Sequence, residues 1–264
     1  MKKSNLILIT IFGFAIAASI LPFIFPGSIF DPDVSSSGIL LNIMIYLGLF
    51  IIGIYFKFEE SGISSKEISF IAIYSAFVSI ARIPFVGIPS VQPVTYLVFC
   101  AGYVFGPLIG FIIGGNVALV SNIFLGQGMW TIYQVFGWGI VGIIGGFLGH
   151  RKVKEKSPNK WIISLLGILL GFIYGWITNT WQWLIIKPVT IQSFFVVNLA
   201  SVYFDAAHAT ANFVFLYFFG TKTINILYRY RSRFKTIINL ETVPYEPGTK
   251  SRSGWKRKVK FQLD

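Results

Sequence analysis

The sequence predicts an all-α bundle that crosses a membrane many times, and three observations predict it. Of 264 residues, 55% are hydrophobic and only 12% charged, whereas a soluble domain carries about 25% charged residues. The apolar residues gather into runs near the roughly 20 residues that a helix needs to cross a bilayer. The net charge of +12 is concentrated in two clusters between or after those runs. The single cysteine, Cys100, lies inside an apolar run, which excludes an intrachain disulfide and reads as packing.

Two runs come first, Leu6 to Phe25 and Ile39 to Phe56. Lys2 and Lys3 imitate a signal peptide, but the apolar stretch continues through Pro22 to Phe25, longer than a signal core. A retained anchor is expected. Residues 1–60 therefore read as a two-helix membrane extension, residues 61–232 as the core, and residues 233–264 as a basic cytoplasmic tail without regular structure. Within the core, runs are expected at Ile68 to Phe85, Val94 to Phe105, Leu108 to Phe124, Tyr133 to Gly149, Trp161 to Ile186 and Phe194 to Phe219. The piece from Val94 to Phe105 rises only about 18 Å as a helix, short of the roughly 30 Å hydrocarbon layer. A flanking loop must complete it.

Both basic clusters, His150 to Lys160 and Lys222 to Lys260, fall on one side if both termini are cytoplasmic, as positively charged loops require. A soluble protein with such charge suggests nucleic acid; beside membrane spans, topology and anionic headgroups explain it instead. The loops IPFVGIPSVQPVT and NIFLGQGMWTIYQ then share the external face. Irregular polar backbone beside a bilayer is tolerated where protein buries it or where it lines a cavity. Gln92, Thr95, Asn122, Gln127, Trp130 and Gln134 are therefore expected to bind a small molecule, joined by Asn179 and Gln182 at the outer end of a later run. Aromatic walls carrying a few amides suit a flat, neutral, vitamin-sized ligand. Arg82 either holds an anionic group there or snorkels to the interface.

Asp205 is the one acidic residue inside a strongly apolar run. At helical spacing Asn198, Ser201, Asp205, His208 and Asn212 share one face. Two readings stand: a functional stripe lining a cavity, or a hydrogen-bonded seam between helices. One Asp and one His fall short of the three or four ligands of a metal site, and the other nine acidic residues lie outside the apolar spans, so catalysis is not expected. Gly110, Gly114, Ala118 and Asn122, like Trp138, Gly142 and Gly146, recur every four residues and predict close helix packing. Ala72 and Ala76, with Ser75 and Ser79 alongside, give a smooth face that serves internal packing or docking on another membrane protein.

The order AIYSAFVSIARIPFVGIPSVQPVTYLVFCAGYVFGPLIGFIIGGNVALVSNIFLGQGMWTIYQVFGWGIVG, followed by DAAHATANFVFLYFFG, resembles the substrate-binding (S) components of energy-coupling factor (ECF) transporters. It is most similar to the branch for cobalamin-like or other vitamin-sized substrates, over about residues 64 to 230. The resemblance implies a six-helix membrane core, here extended by the two N-terminal helices, that captures a micronutrient from outside. It implies docking through Ala72 and Ala76 on a coupling membrane subunit with two ATPases, so no cofactor is expected in this chain and ATP is used by partners. It also implies a prokaryotic cell-membrane protein, with a pocket at Gln92, Thr95, Gln127, Trp130 and Gln134, extended by Asn179, Gln182 and Asn198. The competing reading is a self-sufficient secondary transporter that uses Asp205 and His208 as a proton relay.

Overall fold

In the computed structural model, the described residues are 36–150, 158–186, 188–233, 237–242 and 257–262, with isolated positions before residue 36. The expected span from Leu6 to Phe25 and most of the basic loop after His150 lie outside them. Among the described residues the chain forms helices α1 (Ser36–Glu59), α2 (Ser65–Arg82), α3 (Val94–Phe105), α4 (Pro107–Leu125), α5 (Trp130–His150), α6 (Lys160–Ile185), α7 (Ile191–Ala200), α8 (Val202–Phe215) and α9 (Thr221–Ser232). This is a helical membrane bundle. The helices with the length and apolarity to cross a bilayer unaided are α2 with the turn that follows it, α4, α5 and α6.

Local chemistry sets the boundaries. Ser64 and Glu67 form a reciprocal capping box at the start of α2, with the Ser64 amide donating to Glu67 Oε2 at 2.9 Å. Pro84 falls in the 3-10 turn Ile83–Phe85 that ends this rod. Gly106 (φ 97°) separates α3 from α4, and Gly126 (φ 104°) ends α4; both conformations are open to glycine and costly for other residues. Asn159 caps α6, and Thr190 with Ser193 forms a second capping box before α7. The run expected as one span from Phe194 to Phe219 is a jointed rod: α7 meets α8 at Ser201, and a π-helical turn, Leu216–Gly220, joins α8 to α9. Counting that rod once, α2 to α9 supply six helical units.

Two glycine seams hold the bundle. A Cβ at Gly142 would lie 2.2 Å from the Gly110 carbonyl oxygen, and one at Gly102 would lie 2.1 Å from that of Gly142. Only glycine lets α3, α4 and α5 approach so closely, as the four-residue spacing predicts. A second seam, Gly167, Gly171 and Gly175 on α6, meets Leu216, Ala209 and Asp205 in turn. Trp138, Phe99 and Phe111 fill the interior, while Ile73, Phe77, Ile123, Phe124, Leu165 and Leu169 face outward, as lipid contact requires. Cys100 is fully buried, in keeping with a packing role.

α1 lies against α6, α4 and α5 rather than α2. Ala72 and Ala76 are exposed on α2, whereas Ser75 and Ser79 turn inward and are buried. The serines are therefore not part of the smooth face: they sit on the opposite side of the helix. In the tail, strands β1 (Ile237–Thr242) and β2 (Arg257–Gln262) pair antiparallel, Ile237 opposite Gln262. That pairing is regular structure where the sequence predicts none.

Candidate substrate-binding site

The loop after α2, the start of α5, the C-terminal half of α6 and α8 enclose a cavity of about 470 Å³. Of the expected residues, Gln92, Trp130, Gln134, Asn179, Asp205 and His208 line it, together with Arg82, Ser90, Tyr174, Thr178, Trp181 and Phe204. Two loops separated by some forty positions in the chain thus converge on one chamber.

Beneath it lies an aromatic, hydrogen-bonded layer of which Tyr174 and His208 reach the cavity. Trp138 stacks on Tyr174 with centroids 4.9 Å apart, and Tyr174 meets the His208 ring at 5.0 Å. Trp138 Nε1 donates to Thr95 Oγ1 at 3.1 Å, and Thr95 Oγ1 is 2.9 Å from His208 Nε2. His208 Nδ1 lies 2.8 Å from the Ser90 carbonyl oxygen. A carbonyl only accepts, so Nδ1 carries the proton. Nε2 then accepts from the Thr95 hydroxyl, and the chain from indole to carbonyl is consistent throughout. Ser90 takes the left-handed conformation (φ 61°), a local cost that the bond to His208 helps to offset. Thr95 itself is completely buried beneath the cavity.

One wall is built around Arg82, which is only 8% exposed. Its Nε donates to Gln92 Oε1 at 2.8 Å, and its Nη1 donates to Ser121 Oγ at 2.7 Å and to Asn122 Oδ1 at 2.8 Å. The guanidinium carbon stands 5.0 Å from the Trp138 ring centroid, a cation–π contact. Asn122, buried behind the wall, donates to Gln134 Oε1 at 2.7 Å and to Thr131 Oγ1 at 3.0 Å. It orients Arg82 and Gln134 and does not itself line the chamber. Of the two sequence readings of Arg82, snorkelling is corrected: the side chain turns inward.

The opposite wall centres on Asn179. Its Nδ2 lies within reach of Ser201 Oγ (2.6 Å), Asp205 Oδ2 (3.2 Å) and Asn198 Oδ1 (3.2 Å), three acceptors for two protons. Ser201 Oγ is also 3.0 Å from Asp205 Oδ2. Gly175 makes room for the carboxylate, since a Cβ there would lie 2.3 Å from Asp205 Oδ1. Asn198, Ser201 and Asp205 are thus an interhelical seam, and Asp205 also lines the cavity, so both readings of the stripe hold in part. Asn212, one turn beyond His208, is fully buried, and among the described residues neither of its side-chain polar atoms is hydrogen-bonded. At the rim Trp130 and Trp181 meet at 5.8 Å.

Two expected residues stand elsewhere. Gln127 donates to the Leu119 carbonyl (2.8 Å) and accepts from Thr131 Oγ1 (2.9 Å), stapling its loop. Gln182 lines a separate, largely apolar groove of about 640 Å³ between α6 and α7, which shares Asn179, Trp181 and Phe204 with the main chamber. Ser90, Tyr174, Thr178 and Phe204 were not legible as site residues. The spacing of Gly167, Gly171 and Gly175 carried a usable signal, because it fixes which face of α6 meets α8 and so which face carries Tyr174 and Thr178. Among the described residues no group of three or more His, Cys, Asp or Glu side chains gathers to hold a metal.

Comparison with known proteins agrees with this architecture. The chain is 33% identical over 123 residues to a UPF0397 protein of Vibrio atlanticus, covering 41% of this chain and 67% of that protein. It is 34% identical over 127 residues to one of Aliivibrio fischeri, covering 44% and 69%. No solved structure matches the chain significantly. The family profile described as "ECF-type riboflavin transporter, S component" matches residues 62–229. With that match spanning well over half of a multi-pass membrane chain, the protein belongs to the family of ECF-type riboflavin transporter S components.

Proposed function

We propose that this protein captures a flat heteroaromatic vitamin of the riboflavin kind from outside the cell and delivers it through a coupling membrane subunit served by two ATPases. The chamber at the converging loops carries this reading. Its volume of about 470 Å³ lies within the range of small-molecule sites. Tyr174, backed by the buried Trp138, and the Trp130–Trp181 rim offer aromatic surface to a planar ring. The cobalamin-like substrate favoured by the sequence resemblance is a poorer fit, because a corrinoid with its nucleotide loop outsizes such a chamber. The vitamin enters at the face that carries the two loops, and the distribution of Lys and Arg supports that face as the external one.

The exposed Ala72 and Ala76 face, which α1 leaves uncovered among the described residues, supports docking on the coupling subunit. A proton relay has less support: no hydrogen bond joins Asp205 to His208 among the described residues, and both His208 nitrogens are already engaged. The test is riboflavin binding to the purified protein, alongside uptake in liposomes with and without the coupling subunit and ATPases. Saturable binding with uptake only in the full assembly is expected. Robust gradient-driven uptake by this chain alone would refute the reading. Ala72→Trp should leave binding unchanged and abolish ATP-driven uptake.

A further inference from the structure

Arg82 and Asp205, oppositely charged side chains that line the same chamber, do not pair with each other among the described residues. Every hydrogen bond of Arg82 goes to a neutral group, and among the described residues its Nη2 has no partner. Among the described residues Asp205 uses Oδ2 alone, towards Ser201 and Asn179, and its Oδ1 accepts no hydrogen bond. Arg82 and Asp205 are 8% and 6% exposed, and both line the same cavity. Burial of a charge is costly unless a partner compensates it, and here each charge keeps one free atom at the chamber. Gln92, Ser121 and Asn122 hold the guanidinium still, and Gly175 gives the carboxylate its seat. Both ends are preorganised for something that the protein itself does not supply.

We propose that the ligand is dipolar and bridges the chamber, setting a planar edge of hydrogen-bond acceptors against Arg82 Nη2 and hydrogen-bond donors against the Asp205 carboxylate. This deepens the riboflavin-class reading and rests on it. A conjugated ring-carbonyl edge supplies acceptors in the plane that a guanidinium fork reads. A polyhydroxyl chain supplies the donors, which Asp205 accepts and Asn179 helps to align. Tyr174, Trp130 and Trp181 line the same cavity and give the ring aromatic surface to rest on.

The experiment uses the full chain in lipid nanodiscs and fluorescence titration with two probes: riboflavin, and lumichrome, which keeps the ring carbonyls but lacks the polyol. Arg82→Gln should weaken both probes by about tenfold or more, the scale of one hydrogen bond to a charged group. Asp205→Asn should weaken riboflavin and leave lumichrome unchanged. An Asp205→Asn variant that weakens both equally, or an Arg82→Gln variant that weakens neither, overturns the bridge while leaving the vitamin class intact. If Arg82→Gln does not fold, Arg82→Lys keeps the charge without the fork and should lie between wild type and loss. If the wild type binds no flavin but binds nicotinate in an Arg82-dependent way, the flavin class falls and the acceptor-reading pole stands. Binding of none of these probes overturns both.

Discussion

The two glycine seams of this bundle look alike in sequence and behave differently in space. Along α3, α4 and α5 the glycines meet backbone: a Cβ at Gly149 would lie 1.8 Å from the Tyr103 carbonyl oxygen, and one at Gly146 would lie 2.2 Å from the Pro107 nitrogen. Along α6 the last of the three seam glycines, Gly175, meets a side chain, the Asp205 carboxylate. Backbone cannot give way, but a carboxylate can turn. The first seam is a rigid slab; the second ends in a polar corner whose hydrogen bonds are able to exchange partners when a ligand arrives. Close packing therefore provides the frame, and the site stands where that packing gives way to side chains.

Substitutions that distinguish backbone from side-chain contact test this contrast. The largest effect is expected at Gly142→Leu. Overpacking a core costs about 1–3 kcal/mol and occasionally more, and with the Gly110 carbonyl in the way, the variant should fail to yield a monodisperse protein in size-exclusion chromatography. Gly175→Ala comes next and should divide the two readouts. Displacing Asp205 should weaken riboflavin by about tenfold, one hydrogen bond to a charged group, while the melting temperature of the ligand-free protein changes little. An equal fall in stability at Gly142→Ala and Gly175→Ala would erase the distinction between the seams. Trp181→Leu removes an aromatic face at the rim, where a ring contact is worth about 0.5–1.5 kcal/mol, and should weaken flavin binding several-fold, with a small fall in the melt from loss of the Trp130 pair. The smallest effect is expected at Gln127→Ala. It should cost about 1 kcal/mol of stability or less and leave affinity unchanged, because Gln127 only ties its loop to Leu119 and Thr131.

Much of the bundle was legible because membrane spans obey coarse rules. Run length and polarity located α2 to α6, and even the short α3 fell on Val94–Phe105 as expected. The joint at Ser201 and the π turn before Thr221 were not visible, because a tilt inside a continuous apolar run leaves periodicity nearly intact. In the site, polar residues stood out against an oily background, which found Gln92, Gln134, Asn179, Asp205 and His208. What spacing could not reveal was direction. Thr95 and Asn122 lie behind the wall, Gln127 turns back on its own loop, and Tyr174 reaches the chamber from the apolar part of a run in which only Asn179 and Gln182 stood out. Arg82 illustrates the limit best: its position at a helix end suits a snorkelling side chain equally well, and only the placement of Ser121 and Asn122 on α4 turns it inward.

On the function proposed above, the ligand is captured at the polar corner and not within the slab. Hydrogen–deuterium exchange with and without riboflavin, on the full chain in nanodiscs, tests it most directly. New protection should concentrate in residues 86–93 and 176–205, with residues 102–120 unchanged. Protection centred instead on the glycine slab, or on the small cavity beside Tyr103 and Arg231 at the far end of α3, would contradict the account.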